Sequence, residues 1–368
     1  MSHSSEDLPT VPEARARLVG RAVTLLVTVA MFAMLAGCAK SVTPSAGTEP
    51  IPGISPDLIA AAQREGQVVL AGGGHTRTQL EQLKVNFEER FGVELSYVRA
   101  DSGSTVNAVN SELASGRVNS DVVSLADPIS MKKWDDEGIL KPVAISNQDQ
   151  IIDGLDAPDS AAVPFAVVPM GIMYNEAAIP GADVPVTWEQ FVQPSDRLTI
   201  SADPRASGSA LAFYTAMVAD HGQQWLRSFG ATHPLVTDST LGLNQLVLTG
   251  EADYGIPALE SGVLTSAKEG EPLRIAYPDG PIPATTLIMS ALAAAPHPAA
   301  AELLMRYSLS DEFQGILGDG GTRGVLRDLP PPPNAPQIDP ARLRPVTVDE
   351  LADAAQPVRA EFRQEVAE

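Results

Sequence analysis

The sequence predicts an α/β fold built on parallel sheet, and three of its features lead there. Short apolar strands alternate with helical segments, the links between them are brief, and glycine or serine marks the passages from strand to helix. Leu58-Ile59-Ala60-Ala61-Ala62 reads as a short helix ended by Gly66. Val68-Val69-Leu70-Ala71 is a buried strand running into Gly72-Gly73-Gly74. Residues 78–91 then form an amphipathic helix, with Leu80, Leu83, Val85 and Phe87 near helical spacing and Gly92 closing it. Residues 93–98 alternate as a second strand, Asp101-Ser102-Gly103-Ser104-Thr105 opens the next helix, and Val122-Val123-Ser124-Leu125 is a third strand. This βαβαβ rhythm implies a parallel sheet covered on both faces. Ligands of such sheets bind at the carboxyl ends of strands, where helices begin.

The second half repeats the style without repeating the sequence. Thr187-Trp188-Glu189-Gln190-Phe191 starts a helix, and Leu198-Thr199-Ile200-Ser201 is a strand leading to Asp203-Pro204. Ser207-Gly208-Ser209 opens a long helix, residues 243–248 are helical up to Gly250, and Tyr254-Gly255-Ile256 is a strand. Pro296-His297-Pro298 begins another helix, residues 330–333 are a polyproline break, and an acidic helix runs from Val348 toward Val366.

The N-terminus bears on compartment. Arg15, Arg17 and Arg21 precede an apolar run over residues 22–35, which small residues and Cys38 follow. At ~1.5 Å per residue that run covers about 21 Å, short of the ~30 Å hydrocarbon core. A basic flank, a short apolar segment and a small-residue exit are the plan of a secretion signal; a single membrane anchor is the alternative. Leu35-Ala36-Gly37-Cys38 resembles the lipobox of bacterial lipoproteins, which implies an acylated cysteine as the mature N-terminus. Cys38 is the only cysteine, so the mature chain has no disulfide, thiolate metal site or cysteine nucleophile.

Removing residues 1–37 takes away Glu6, Asp7 and Glu13 along with the three arginines, so the net charge stays at −21. That charge opposes binding to nucleic acid or to an anionic membrane surface. One acyl chain binds a membrane only marginally, so retention needs the several chains that lipoproteins carry. Residues 38–56, rich in Ser, Thr, Pro and Gly, read as a flexible tether. Beyond them, 44% hydrophobic content is ample for a core, and the length suggests about two domains.

Seven pieces, taken in order, carry a family resemblance: Val69-Leu70-Ala71-Gly72-Gly73-Gly74-His75; Glu112-Leu113-Ala114-Ser115-Gly116 with Asp121-Val122; Met173-Tyr174-Asn175; Pro185-Val186-Thr187-Trp188; Ser201-Ala202-Asp203-Pro204 with Ser207-Gly208; Gly250-Glu251-Ala252-Asp253; and Ala295-Pro296-His297-Pro298 before Ala301 and Ser310. From about Gln67 to Leu329 the chain resembles the ferric-iron and organic-solute branch of the type II periplasmic-binding-protein superfamily. The resemblance implies two lobes, each a doubly wound α/β sheet, joined by two hinge strands. Lobe 1 would comprise residues 57–166 and 285–335, lobe 2 residues 167–284, with a C-terminal helix, residues 336–368, packing on lobe 2. The hinges should lie near residues 165–168, between Pro164 and Pro169, and near residues 283–288. The implied partners are a small-molecule solute, an ABC permease and its ATPase subunit. The implied state is a monomer held by lipid at the extracytoplasmic face of the cell membrane, with no cofactor.

Candidate ligand residues follow from strand ends and from the resemblance. Ser102-Gly103-Ser104-Thr105 and Ser207-Gly208-Ser209 place hydroxyls and glycine at helix starts, where free N–H groups and the helix dipole favour a ligand oxygen. Plain N-capping by serine is the alternative. Ferric binders of the family use a histidine after the first strand, a later carboxylate and adjacent tyrosines. Gly74-His75 falls on the first position and Ala126 or Asp127 on the second, but Glu260-Ser261 stands where the tyrosines should be. Fe³⁺ prefers anionic oxygens such as phenolates, so the quartet is broken; His75, Asp127 and Glu260 remain as a weaker set for a divalent cation. Asp238 occupies the position of an anion-holding asparagine, and would repel an anion unless a cationic group joined it. Tyr174 and Asn175 are expected in the cleft. These residues suit a small polar organic solute bearing an oxyanion and an amine, or a polyol.

Catalytic patterns are missing from the sequence: no G-x-S-x-G, H-E-x-x-H or G-x-x-x-x-G-K-[ST] occurs. His221, His233 and His297 read as structural. A binding function is therefore expected in preference to an anchored hydrolase or a structural lipoprotein. Any transport energy must come from a separate subunit.

Overall fold

The computed structural model describes residues 50–155, 161–238 and 240–367. The signal segment and Cys38 lie outside these residues. Among the described residues no helix is long and apolar enough to cross a membrane.

The first stretch runs α1 (Pro56–Glu65), β1 (Gln67–Gly72), α2 (Arg77–Phe91), β2 (Glu94–Arg99), α3 (Ser102–Ser115), β3 (Val122–Leu125), α4 (Pro128–Asp136) and β4 (Leu140–Lys141). Ser55 caps α1, a reciprocal Thr76–Gln79 capping box starts α2, and left-handed Gly66, Gly92 and Gly116 close the first three helices. A long strand β5 (Val163–Asn175) follows, then α5 (Trp188–Phe191), β6 (Thr199–Ala202), α6 (Gly208–His221), α7 (Gln223–Gly230), β7 (Leu235–Thr237), α8 (Thr240–Leu248), β8 (Tyr254–Leu259), α9 (Glu260–Lys268) and β9 (Leu273–Ala276). The chain ends with β10 (Ile282–Leu292), α10 (Pro298–Tyr307), α11 (Asp311–Asp319), β11 (Arg323–Gly324), β12 (Leu343–Pro345) and α12 (Val348–Phe362).

The strands form two sheets, as the sequence predicted. In the first, β1 lies parallel to β2 and β3, and β10 runs antiparallel to β3 and then to β5. In the second, β5 runs antiparallel to β8 and β9, and β6 lies parallel to β8 and β7. Strand β5 therefore belongs to both. Pro169 pairs with Ala284 of β10, and the next residue, Met170, pairs with Leu259 of β8. The changeover thus falls just beyond residues 165–168, at a proline that offers no N–H to either ladder. In β10 the register against β5 shifts between Leu287 and Ile288, inside the expected hinge stretch.

Each sheet has its own core. Phe87, Phe91, Phe165, Tyr307 and Phe313 pack beneath the first, with Val123, Leu125, Met131 and Trp134 on its other face. Trp188, Phe213, Tyr214, Trp225 and Phe229 pack under the second, and Leu351, Ala355, Val358 and Phe362 of α12 join them. Full burial of one such side chain stabilises by roughly 1.5–3 kcal/mol. Packing begins before the expected end of the tether. Ile51 and Ile54 lie against the first core, and Arg306 Nη1 donates to the Gly53 carbonyl at 2.9 Å.

Candidate functional site

Parallel strands align the places where ligands can be met. In the first sheet β1, β2 and β3 end at Gly72, Arg99 and Leu125; in the second, β6, β7 and β8 end at Ala202, Thr237 and Leu259. Leu125 pairs with Ile288, which pairs with Pro164 of β5, while Leu259 pairs with Met170 of the same strand. Six steps along β5, at ~3.3 Å each, separate the two rows by about 20 Å. The strand-end loops of both sheets therefore converge along β5, the strand the sheets share. Gly74, His75, Ser102, Ser104, Thr105 and Asp127 come from the first row, and Ser207, Gly208, Ser209, Asp238 and Glu260 from the second.

Tyr174 and Asn175 are not among them. Because β5 is antiparallel to β8, its last residues pair with Tyr254 and Leu273, at the opposite end of the second sheet. Asn175 Nδ2 donates to the Leu248 carbonyl at 3.3 Å there.

Convergence of the loops does not leave every side chain open. His75 is only 4% exposed; its ring stacks on Phe165 at 4.8 Å and meets the edge of Phe313 at 6.2 Å. Burial, with Arg99 nearby, lowers its pKa to about 4, so it is neutral at pH 7. Gly74 has φ +88°, and a Cβ there would lie 2.8 Å from Leu287 Cδ1, so this glycine serves the tight entry of His75 into the core. Glu260 is 1% exposed and receives Arg323 Nε at 2.7 Å, Arg323 Nη2 at 3.0 Å and the Tyr277 hydroxyl at 2.5 Å. Glu260 is thus engaged inside the protein. The weaker metal set is not assembled: His75 belongs to an aromatic stack, Glu260 to an ion pair and Asp127 to a helix cap. Among the described residues no group of three His, Cys, Asp or Glu could hold a metal ion.

The helix starts also differ from one another. Ser102, Ser104 and Thr105 lie inside the first turn of α3, and Asp101 is its cap, accepting from Ser104 N at 2.8 Å and Ser104 Oγ at 2.9 Å. These two hydrogen bonds hold the Asp101 carboxyl below the usual range. Thr105 Oγ1 donates to the Asp101 carbonyl at 2.8 Å, and Ser102 Oγ accepts from Ala126 N at 3.1 Å. Asp127 caps α4, accepting from Ile129 N, Ser130 N and Ser130 Oγ. The starts of α3 and α4 thus already carry a carboxylate, the best complement to the positive end of the dipole.

In the second row, Asp203 is buried and clasped by Arg205 through Nε and Nη2. Burial raises its pKa, but the Arg205 hydrogen bonds outweigh that and hold it low. Ser207 caps α6 by accepting from Ala210 N at 3.2 Å. Gly208 is exposed, with open space where a side chain would point. Asp238 is exposed just after β7.

A cavity of about 460 Å³ opens beside β5 and β10, a size in the range of small-molecule sites. Ala126 and Pro128 reach it from the first row, Gly208 and Ala212 from the second, Thr285 and Ile288 from β10, and Val346 and Leu351 from the C-terminal segment. Sequence reasoning missed Arg323, Tyr277, Thr285 and the C-terminal wall. The alternative role it gave to this loop was capping by serine, whereas Asp101 is the cap of α3.

Comparison with known proteins agrees with this architecture. The family of bacterial extracellular solute-binding proteins matches residues 73–315. This chain belongs to that family. Its fold is similar to iron-bound HitA of Pseudomonas aeruginosa, with TM-score 0.68 and 18% identity over 80% of this chain and 98% of that one. AfuA of Actinobacillus pleuropneumoniae, solved with fructose-6-phosphate, gives TM-score 0.65 and 19% identity over 82% and 99%. A periplasmic thiamin-binding protein gives TM-score 0.68 and 18% identity over 82% and 96%. The family member thus has the two-lobed type II periplasmic-binding-protein fold, in a family of extracytoplasmic solute-binding transport proteins.

Proposed function

We propose that this protein is the solute receptor of an ABC importer, lipid-anchored through Cys38, and that it captures a small organic solute between its lobes. The observation that carries the reading is the convergence of strand-end loops from both sheets on a cavity of about 460 Å³ beside β5 and β10. A ligand that touches both lobes stabilises the closed arrangement, and a ligand confined to one cannot. The permease then reads closure, and a separate ATPase subunit supplies energy. Ser207, Gly208 and Ser209 hold the solute from the second lobe, with residues around Asp127 opposite.

An organic solute fits better than ferric iron. His75 and Glu260 are engaged elsewhere, and glutamate stands where the family's iron binders have tyrosine. Mass spectrometry of small molecules released from the purified full chain tests the proposal. An organic solute at one per chain supports it; stoichiometric iron with no organic ligand refutes it.

A further inference from the structure

The cavity's chemistry narrows the solute, on the premise that the protein binds one there. Most of its wall is apolar: Met131 of α4, Leu155, Ala212 of α6, Ile288 of β10, and Val346 and Leu351 of the C-terminal segment. At the rim, Lys132 pairs with both oxygens of Asp136 at 3.0 Å. A polyol would leave many hydroxyls against this apolar surface without partners, which is costly.

Polar contacts gather at one end. Gly208 marks the start of α6, a helix of 14 residues whose cap, Ser207, satisfies only Ala210 N. The Gly208 and Ser209 N–H groups make no hydrogen bond to the described residues, and the helix dipole adds positive potential. Thr285 lines the same cavity, is only 7% exposed, and its hydroxyl makes no hydrogen bond to the described residues. Two N–H donors and one hydroxyl suit a carboxylate.

The opposite lobe has the other sign. Asp135 and Asp136 line the cavity from this side, as do Ala126 and Pro128, the two neighbours of Asp127. The Asp127 carboxylate accepts three hydrogen bonds from its own helix, one short of its capacity of about four. Asp101, Asp127 and Asp238 make no ion pair with the described residues, so a dianionic phosphate would meet repulsion at the starts of α3 and α4 and just after β7. We infer that the solute is an amino-carboxylate with a bulky apolar side group: carboxylate at Gly208, Ser209 and Thr285, ammonium at Asp127, side group in the apolar cavity.

Isothermal titration of the purified full chain tests this with L-phenylalanine, phenethylamine, 3-phenylpropanoate, L-serine and a hexose 6-phosphate. L-phenylalanine should bind at least about tenfold more tightly than each analogue lacking one group, the loss expected for a hydrogen bond to a charged group. Asp127→Asn, which retains a capping side chain, should weaken phenylalanine by a similar factor, and Ala212→Trp should abolish binding by filling the cavity. Thr285→Val keeps shape and should weaken it too, so the test survives if Ala212→Trp does not fold. Tighter binding of serine or the hexose phosphate, or unchanged affinity in Asp127→Asn and Thr285→Val, overturns the amino-carboxylate assignment while leaving solute binding intact. If no member of a broad solute panel binds and none co-purifies, the receptor reading itself falls, and this inference with it.

Discussion

Glu260 of α9 and Arg323 of β11 form a two-pronged ion pair that ties the second sheet to the first, beside the strand the two sheets share. Glu260 is 1% exposed and the Arg323 side chain 12%. Arg323 also donates to the Pro336 carbonyl at 2.7 Å, so the pair anchors the C-terminal segment as well. Removing one partner of a buried pair leaves an uncompensated charge, at a cost of about 3–5 kcal/mol. Arg323→Ala should lower unfolding free energy by about that much in urea titration, and Glu260→Gln by less, because Gln can still accept from Tyr277. An effect of Arg323→Ala under 1 kcal/mol would show that the pair is not closed in solution.

His75 gives the protein a pH signature. Its folded pKa of about 4 lies below the 6.5 usual for a solvated histidine. Between those values the unfolded chain takes up a proton that the folded chain does not. Stability is therefore fully present above pH 6.5 and falls as pH drops toward 4, by up to about 3 kcal/mol. His75→Phe should remove this component and preserve the stack on Phe165. Equal pH slopes in wild type and variant between pH 6.5 and 4.5 would contradict the buried neutral imidazole.

Asp101→Ala should destabilise by about 1 kcal/mol through loss of the α3 cap, with solute affinity changed little. Loss of affinity without loss of stability would instead put Asp101 in contact with the solute.

Much of this arrangement was legible in local sequence. Strands with glycine or serine at their ends, and capping residues before helices, set the βαβ order of both lobes. Contacts that depend on strand direction or on distant partners were not. Tyr174 and Asn175 fit a family motif, but their remoteness from the cleft follows from the antiparallel course of β5, which local patterning does not encode. Glu260 looked available because its partner, Arg323, lies 63 residues further on. His75 looked like a ligand because loop position alone does not reveal Phe165 and Phe313 around it. Thr285 gave no signal, since a threonine in a strand is ordinary until a cavity is found beside it.

Cys38→Ala should release the protein from the membrane fraction or leave the signal uncleaved. A variant that matures and sediments with membranes like the parent would contradict lipid anchoring at Cys38.

The central claim is capture of solute between two lobes, and small-angle scattering of the full chain in detergent, with and without its co-purified solute, tests it most directly. The radius of gyration should be smaller with solute, and Ala212→Trp, which blocks the cavity, should abolish the change. A solute that binds at one per chain yet leaves the radius unchanged, from an open starting state, would contradict closure around the ligand.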